Sequence, residues 1–197
     1  MSKLRQTPSQ TVGPFFAYAL TPEQYGYDFA SIAGGSLIEG DVPGQRIRIE
    51  GRVFDGEGEV VPDAMIEIWQ ADGEGRYAHP ADPRGSNIAF RGFGRMGTGT
   101  DAQSRFIFDT IKPGSVDGAQ APHVNVVVFM RGLLLHAYTR IYFSDEVAAN
   151  ARDPVLASVP AERRKTLVAT RDDTSAGIVY RLDIHMQGPD ETVFFDV

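Results

Sequence analysis

Residues 121–145, APHVNVVVFMRGLLLHAYTRIYFSD, restrict the fold more than any other stretch of this chain. Val124, Val126, Val128 and Met130 alternate with His123, Asn125, Val127 and Phe129. Strand side chains repeat every second residue, so one face is apolar and the other carries His123 and Asn125 together. A second alternating run sets Leu135, Ala137, Thr139, Ile141 and Phe143 against Leu134, His136, Tyr138, Arg140 and Tyr142. The pair reads as two strands joined at Arg131-Gly132. A His-x-His pair at the start of such a strand converges two imidazoles on one point and supplies half of a metal site. Here the second position is Asn125, and a neutral amide is a poor ligand for transition metals. The scaffold of a metal site is present and its second ligand is missing.

The other segments read as short strands between turns. Ile47, Ile49, Gly51 and Val53 alternate with Arg48, Glu50 and Arg52, and Asp55-Gly56-Glu57-Gly58 is a turn by composition. Ala64, Ile66 and Ile68 alternate with Met65, Glu67 and Trp69 ahead of a second turn, Asp72-Gly73-Glu74-Gly75. Residues 80–99 read as a long loop, 105–111 as a strand, 145–152 as a helical turn and 160–167 as a short helix with Pro160 near its first position. Residues 178–186 alternate again, and 192–195 read as a last strand. Little helix and frequent turns, with 21 Gly and 12 Pro, predict a mainly β chain, a β-sandwich.

The 197 residues suit one domain, and 42% hydrophobic residues suffice for its core. A net charge of -7 argues against a nucleic-acid partner. No apolar run has the length of a membrane span, and the opening Met1-Ser2-Lys3-Leu4-Arg5-Gln6 lacks the pattern of a secretory leader. The absence of cysteine excludes disulfides and thiolate metal sites, and fits the cytoplasm. Residues 1–36 are irregular, with Pro8, Gly13 and Pro14 followed by Phe15, Phe16, Tyr18, Tyr25, Tyr27 and Phe29. The expected organisation is an N-terminal arm, 1–44, that packs on a partner chain, and a sandwich domain, 45–197.

Residues 49–77 resemble the signature of intradiol ring-cleavage dioxygenases: Ile49, Gly51, Val53, Gly58 and Val61, the triplet Ile66-Glu67-Ile68, then Gly75-Arg76-Tyr77. Two paired strands with tight glycine turns are the expected physical form of that signature. Ile111-Lys112-Pro113-Gly114 before Pro122-His123 resembles the family's approach to its metal-binding strand. The N-terminal TPSQTVGPF and the C-terminal QGPDETVFFD resemble the family's alpha-type chains, which bind no iron. The resemblance implies an obligate, higher-order heteromer with a homologous beta chain that holds Fe(III). It further implies that a pocket shared by the two chains takes protocatechuate (3,4-dihydroxybenzoate) and O2 and yields 3-carboxy-cis,cis-muconate.

The family's iron ligands are two tyrosines and two histidines. His123 matches the first histidine, Asn125 stands at the second, and neither 115–121 nor 78–95 contains a tyrosine. With Tyr77 counted in the strand signature, at least three of four ligands are absent, so the resemblance assigns this chain no metal ligand and no catalytic residue. His79, His136 and His185 read as surface or structural histidines, and Trp69 as core. The resemblance assigns substrate contacts to Arg131, Thr11, Gly13, Pro14 and Phe15. Guanidinium matches a carboxylate in bidentate geometry, Gly13 admits close backbone approach, and Phe15 supplies shape without a hydroxyl. The competing reading is a metal-free β-sandwich binding or assembly module without a catalytic partner, for which the aromatic arm has little use.

Overall fold

The computed structural model describes residues 11–13 and 15–196. Its strands are β1 (Arg46–Phe54), β2 (Met65–Gln70), β3 (Phe93–Gly97), β4 (Arg105–Ile111), β5 (His123–Phe129), β6 (Ala137–Phe143), β7 (Val168–Thr174), β8 (Gly177–Arg181) and β9 (Ile184–His185). Helix is limited to α1 (Phe16–Leu20), α2 (Val147–Asn150), α3 (Pro154–Ser158) and 3-10 turns at Glu23–Tyr25 and Ala161–Leu167. The strands neighbour one another in the order β3-β2-β5-β6-β7-β8-β1-β4, with β9 beside β1.

This path folds into two layers because β7 changes partner along its length. Val168 and Ala169 pair parallel with Tyr142 and Phe143 of β6, whereas residues 170–174 pair antiparallel with β8. The inner faces of the layers meet in one core. Ile66, Ile68, Val124, Val126 and Val128 come from the first layer, and Ile47, Ile49, Phe106, Phe108 and Tyr180 from the second. The free edges also approach each other, with the Ile107 N–H donating to Met96 Sδ at 3.1 Å. The expected β-sandwich is therefore observed.

Several local expectations change. The signature strands β1 and β2 do not pair: β1 lies between β4 and β8, and β2 between β3 and β5, in opposite layers. Only the Phe54–Val60 bridge joins the two sides of the first glycine turn. The link from β5 to β6 is longer than a tight turn at Arg131-Gly132, because β6 starts only at Ala137. The stretch read as a loop over 80–99 contains β3, whose glycines and arginines masked its pairing with β2. Strand β7 and helix α3 are additional to the sequence reading, α3 with Asp153 as its N-cap and Pro154 in its first turn, and the last strand reduces to a Tyr138–Phe195 bridge.

Residues 24–42 pack on their own sandwich. Gln24 Nε2 donates to the Gly97 carbonyl at 2.6 Å, and Leu37 and Val42 enter the main core. Five apolar side chains of the aromatic-rich segment stay exposed: Phe15 (76%), Tyr18 (38%), Tyr27 (51%), Phe29 (72%) and Ile32 (82%).

Two signature glycines answer to different constraints. A Cβ on Gly51 would lie 1.8 Å from the Leu182 carbonyl oxygen, where the chain crosses β1 on its way from β8 to β9. Gly58 has a positive φ of 81° but open space around it. Gly51→Ala is therefore expected to cost about 3 kcal/mol or more through forced overpacking, and Gly58→Ala about 1 kcal/mol through its left-handed backbone. Urea unfolding of both variants tests this, and equal losses would contradict the close-approach account.

Candidate functional site

The alternation that buries Val124, Val126 and Val128 turns His123, Asn125, Val127 and Phe129 to the outer face of β5. The β6 register sets Tyr142 opposite His123, Arg140 opposite Asn125 and Tyr138 opposite Val127. On the other side, β2 sets Trp69 opposite Asn125. The loop after β2 then lays Tyr77 over Trp69, with centroids 5.6 Å apart and an interplanar angle of 4°. The Tyr77 hydroxyl lies beside the Asn125 amide. Two sequence readings are thereby corrected. Tyr77 belongs to this face rather than to a strand, and Trp69 is a half-buried wall of it rather than core, because it shares the outward parity of Met65 and Glu67.

His123 is 5% exposed, and its Nδ1–H donates to the Ala121 carbonyl at 2.8 Å. That leaves Nε2 with its lone pair, the tautomer a metal-ligating histidine uses. The surroundings do not match a ferric ion. Asn125 offers an amide, whose Nδ2 donates to the Trp69 carbonyl at 3.4 Å. Burial pushes the Tyr77 phenol up, and pushes Tyr142 up to about 12, so the surroundings of both rings disfavour the phenolate. Arg140 already places a cation on the face, donating to Gln120 Oε1 at 2.8 Å and to the Tyr142 hydroxyl at 3.4 Å. The Tyr142 hydroxyl in turn donates to buried Asp153 at 3.1 Å, which also accepts from Ala121 N and caps α3 through Leu156 N, each at 2.7 Å. One ligand-competent imidazole thus sits in a network closed by an arginine. Among the described residues, no three His, Cys, Asp or Glu side chains converge as a metal site.

The remaining histidines stand apart from the His123 hydrogen-bond network. His79 sits edge-on to Trp69 and its Nδ1 accepts from the Ala81 N–H at 3.1 Å. His185 stacks on Phe54 at 4.9 Å. His136 is exposed, and its Nε2 lies 2.6 Å from the Tyr138 hydroxyl.

The far end of the same outer face gathers the expected substrate contacts. The Gly132 N–H donates to Thr11 Oγ1 at 3.2 Å, joining the arm to the turn beside Arg131. The Phe16 N–H donates to the Gly13 carbonyl at 3.1 Å, and the Phe16 ring meets Phe129 at 5.6 Å. Thr11, Gly13, Phe15 and Arg131 therefore share one end of the sandwich, while Pro14 lies outside the described residues. Arg131 is not a free turn cation. It forms an ion pair with Asp63, although 60% of its side chain stays accessible. Asp63 reaches it because Met65 of β2 pairs with Phe129 of β5, a neighbourhood that sequence spacing does not reveal. Arg140 could have been found from the β5–β6 register, had the long connection been foreseen.

Known proteins share this architecture. The family model described as Dioxygenase matches residues 24–188. The protocatechuate 3,4-dioxygenase alpha chain of Burkholderia cepacia is 57% identical over 100% of both chains. The beta chain from the same organism is 33% identical, over 80% of this chain and 71% of its own. A dioxygenase domain from Streptomyces sp. SirexAA-E superposes with a TM-score of 0.58, covering 95% of this chain and 100% of that one, at 20% identity, which speaks for the fold alone. The chain belongs to the intradiol ring-cleavage dioxygenase family, and its full-length match lies among the alpha chains.

Burial, reinforced by Arg140, lowers the His123 pKa from its ordinary 6.5 despite the bond to the Ala121 carbonyl. The folded state therefore resists protonation that the unfolded chain accepts, and stability falls as pH drops below the unfolded value. Between about pH 7.5 and 5.5 the urea midpoint is expected to fall more in the native protein than in His123→Gln. Parallel profiles would show that His123 titrates freely.

Proposed function

We infer that this chain is the iron-free alpha subunit of a protocatechuate 3,4-dioxygenase. Its partner is a homologous beta chain that holds Fe(III), and the pair opens the ring of 3,4-dihydroxybenzoate with O2 to give 3-carboxy-cis,cis-muconate. The observation that carries this reading is the outer face of β5, where the family's ligand strand is present but closed by Asn125 and Arg140. The full-length likeness to an alpha chain, set against the partial likeness to a beta chain, supports the same division of labour. The partner's ferric ion supplies the chelation of the two ring hydroxyls and the activation toward O2. This chain supplies a wall of the pocket and half of an obligate interface, within a higher-order assembly in the cytoplasm.

Thr11, Gly13, Pro14, Phe15 and Arg131 form that wall in this reading. Its support is the Thr11–Gly132 hydrogen bond, which holds arm and turn side by side, and the exposure of Phe15 next to them. Leu134 and Leu135, also exposed on the link from β5 to β6, extend the apolar surface that the partner covers. Arg131 binds the substrate carboxylate with a charge that it already shares with Asp63.

Iron analysis and oxygen uptake test the assignment. The chain purified alone is expected to be colourless and to hold no stoichiometric iron, and co-expression with the beta chain is expected to yield an iron-loaded complex that consumes O2 with 3,4-dihydroxybenzoate. An iron-loaded, coloured preparation of this chain alone would overturn it.

In the complex, Arg131→Ala is expected to lower kcat/KM for 3,4-dihydroxybenzoate by about tenfold, with assembly and iron content unchanged. The loss stands at the low end for a charged pair because Asp63 shares the cation. Lysine restores part of the activity, since it lacks the planar fork. Catechol, which has no carboxylate, is expected to lose much less, and equal losses on both substrates would return Arg131 to a purely structural role.

A further inference from the structure

The start of the N-terminal arm touches the sandwich at two places, at Thr11 and at Phe16. At one, Thr11 Oγ1 accepts the Gly132 N–H at 3.2 Å. At the other, the Phe16 ring lies 5.6 Å from Phe129, which lies 5.4 Å from the His136 imidazole. His136 is held in turn by Tyr138, with rings perpendicular at 4.6 Å and Nε2 2.6 Å from the hydroxyl. Tyr138 is the firm end of this series, because it belongs to β6 and its carbonyl accepts the Phe195 N–H at 2.8 Å. The segment between the two contacts includes Gly13 and exposed Phe15, and its position depends on both of them.

We propose that Phe129, His136 and Tyr138 form a seat that positions the N-terminal arm at the shared substrate pocket, with His136 as the positioning residue. The argument is geometric. Residues 130–136 have no strand partner, yet they carry Arg131, the Gly132 amide that holds Thr11, and His136. Fastening the end of this link through His136 to Tyr138 fixes all three relative to β6. Phe129, at the end of β5, gives the arm an aromatic surface, and the His136 ring packs against Phe129 and limits its movement. His136 touches no substrate in this arrangement. It acts through Phe129 and Phe16 on the arm, so its loss loosens the substrate-facing segment without touching the core, where Val126 and Val128 stay buried.

The inference rests on the alpha-subunit reading, and its test separates the two. In the alpha–beta complex, His136→Ala is expected to raise KM for 3,4-dihydroxybenzoate by about fivefold to tenfold with kcat changed less, because ordering the arm falls on substrate binding. His136→Phe, which keeps a ring against Phe129, restores most of the loss. Amide hydrogen exchange in a peptide spanning 11–19 of the full-length chain is expected to speed up in His136→Ala and to stay near native in His136→Phe. Unchanged KM or unchanged arm exchange in His136→Ala overturns the seat. A native complex without dioxygenase activity defeats the functional reading instead, and the exchange readout, which needs no turnover, still decides the seat.

Discussion

The inner face of β5 is the interaction on which the rest of this structure depends. Val124, Val126 and Val128 are fully enclosed between β2 and β6 on their own layer and Phe106 and Phe108 of the other. Burying side chains of this size stabilises by about 1.5–3 kcal/mol each. A one-residue slip of β5 would exchange these valines for His123, Asn125 and Val127, placing an imidazole and an amide in the core. The packing therefore fixes the register of β5, and that register fixes what stands on the outer face.

Because the two faces of a strand are energetically separable, the chemistry of the outer face can vary while the fold persists. The outer face of β5 contains Arg140, whose hydrogen bonds run to Gln120 and Tyr142 and onward to Asp153. The network has an internal logic. The buried Tyr142 phenol donates to Asp153, a neutral imidazole is oriented by a carbonyl, and that one buried carboxylate ties β6, α3 and the start of β5 together. The positive charge of Arg140 opposes a cation on this face.

The same face, followed toward Phe129, changes character from polar network to aromatic surface. There the chain turns outward, with exposed Phe15, Leu134 and Leu135 beside the paired Arg131. Both ends of one strand thus bear on the proposed heteromer: one end carries a closed polar network, and the other presents the residues proposed to complete a partner's pocket.

Sequence alone determined the period-two strands, the sandwich class, the family signature and the shared face of His123 and Asn125. These depend on local alternation and on residue identity, both of which a linear reading preserves. Tertiary structure decided which strands pair. The signature strands β1 and β2 fall in opposite layers because β7 switches between sheets, a long-range event with no local signal. It also decided that Tyr77 returns over Trp69 to the His123 face, that Arg140 stands opposite Asn125, and that Asp63 meets Arg131. Each of those contacts joins residues from different strands or loops. Their proximity is set by pairing register and by the burial of the opposite face, and neither is written in the spacing of the residues themselves.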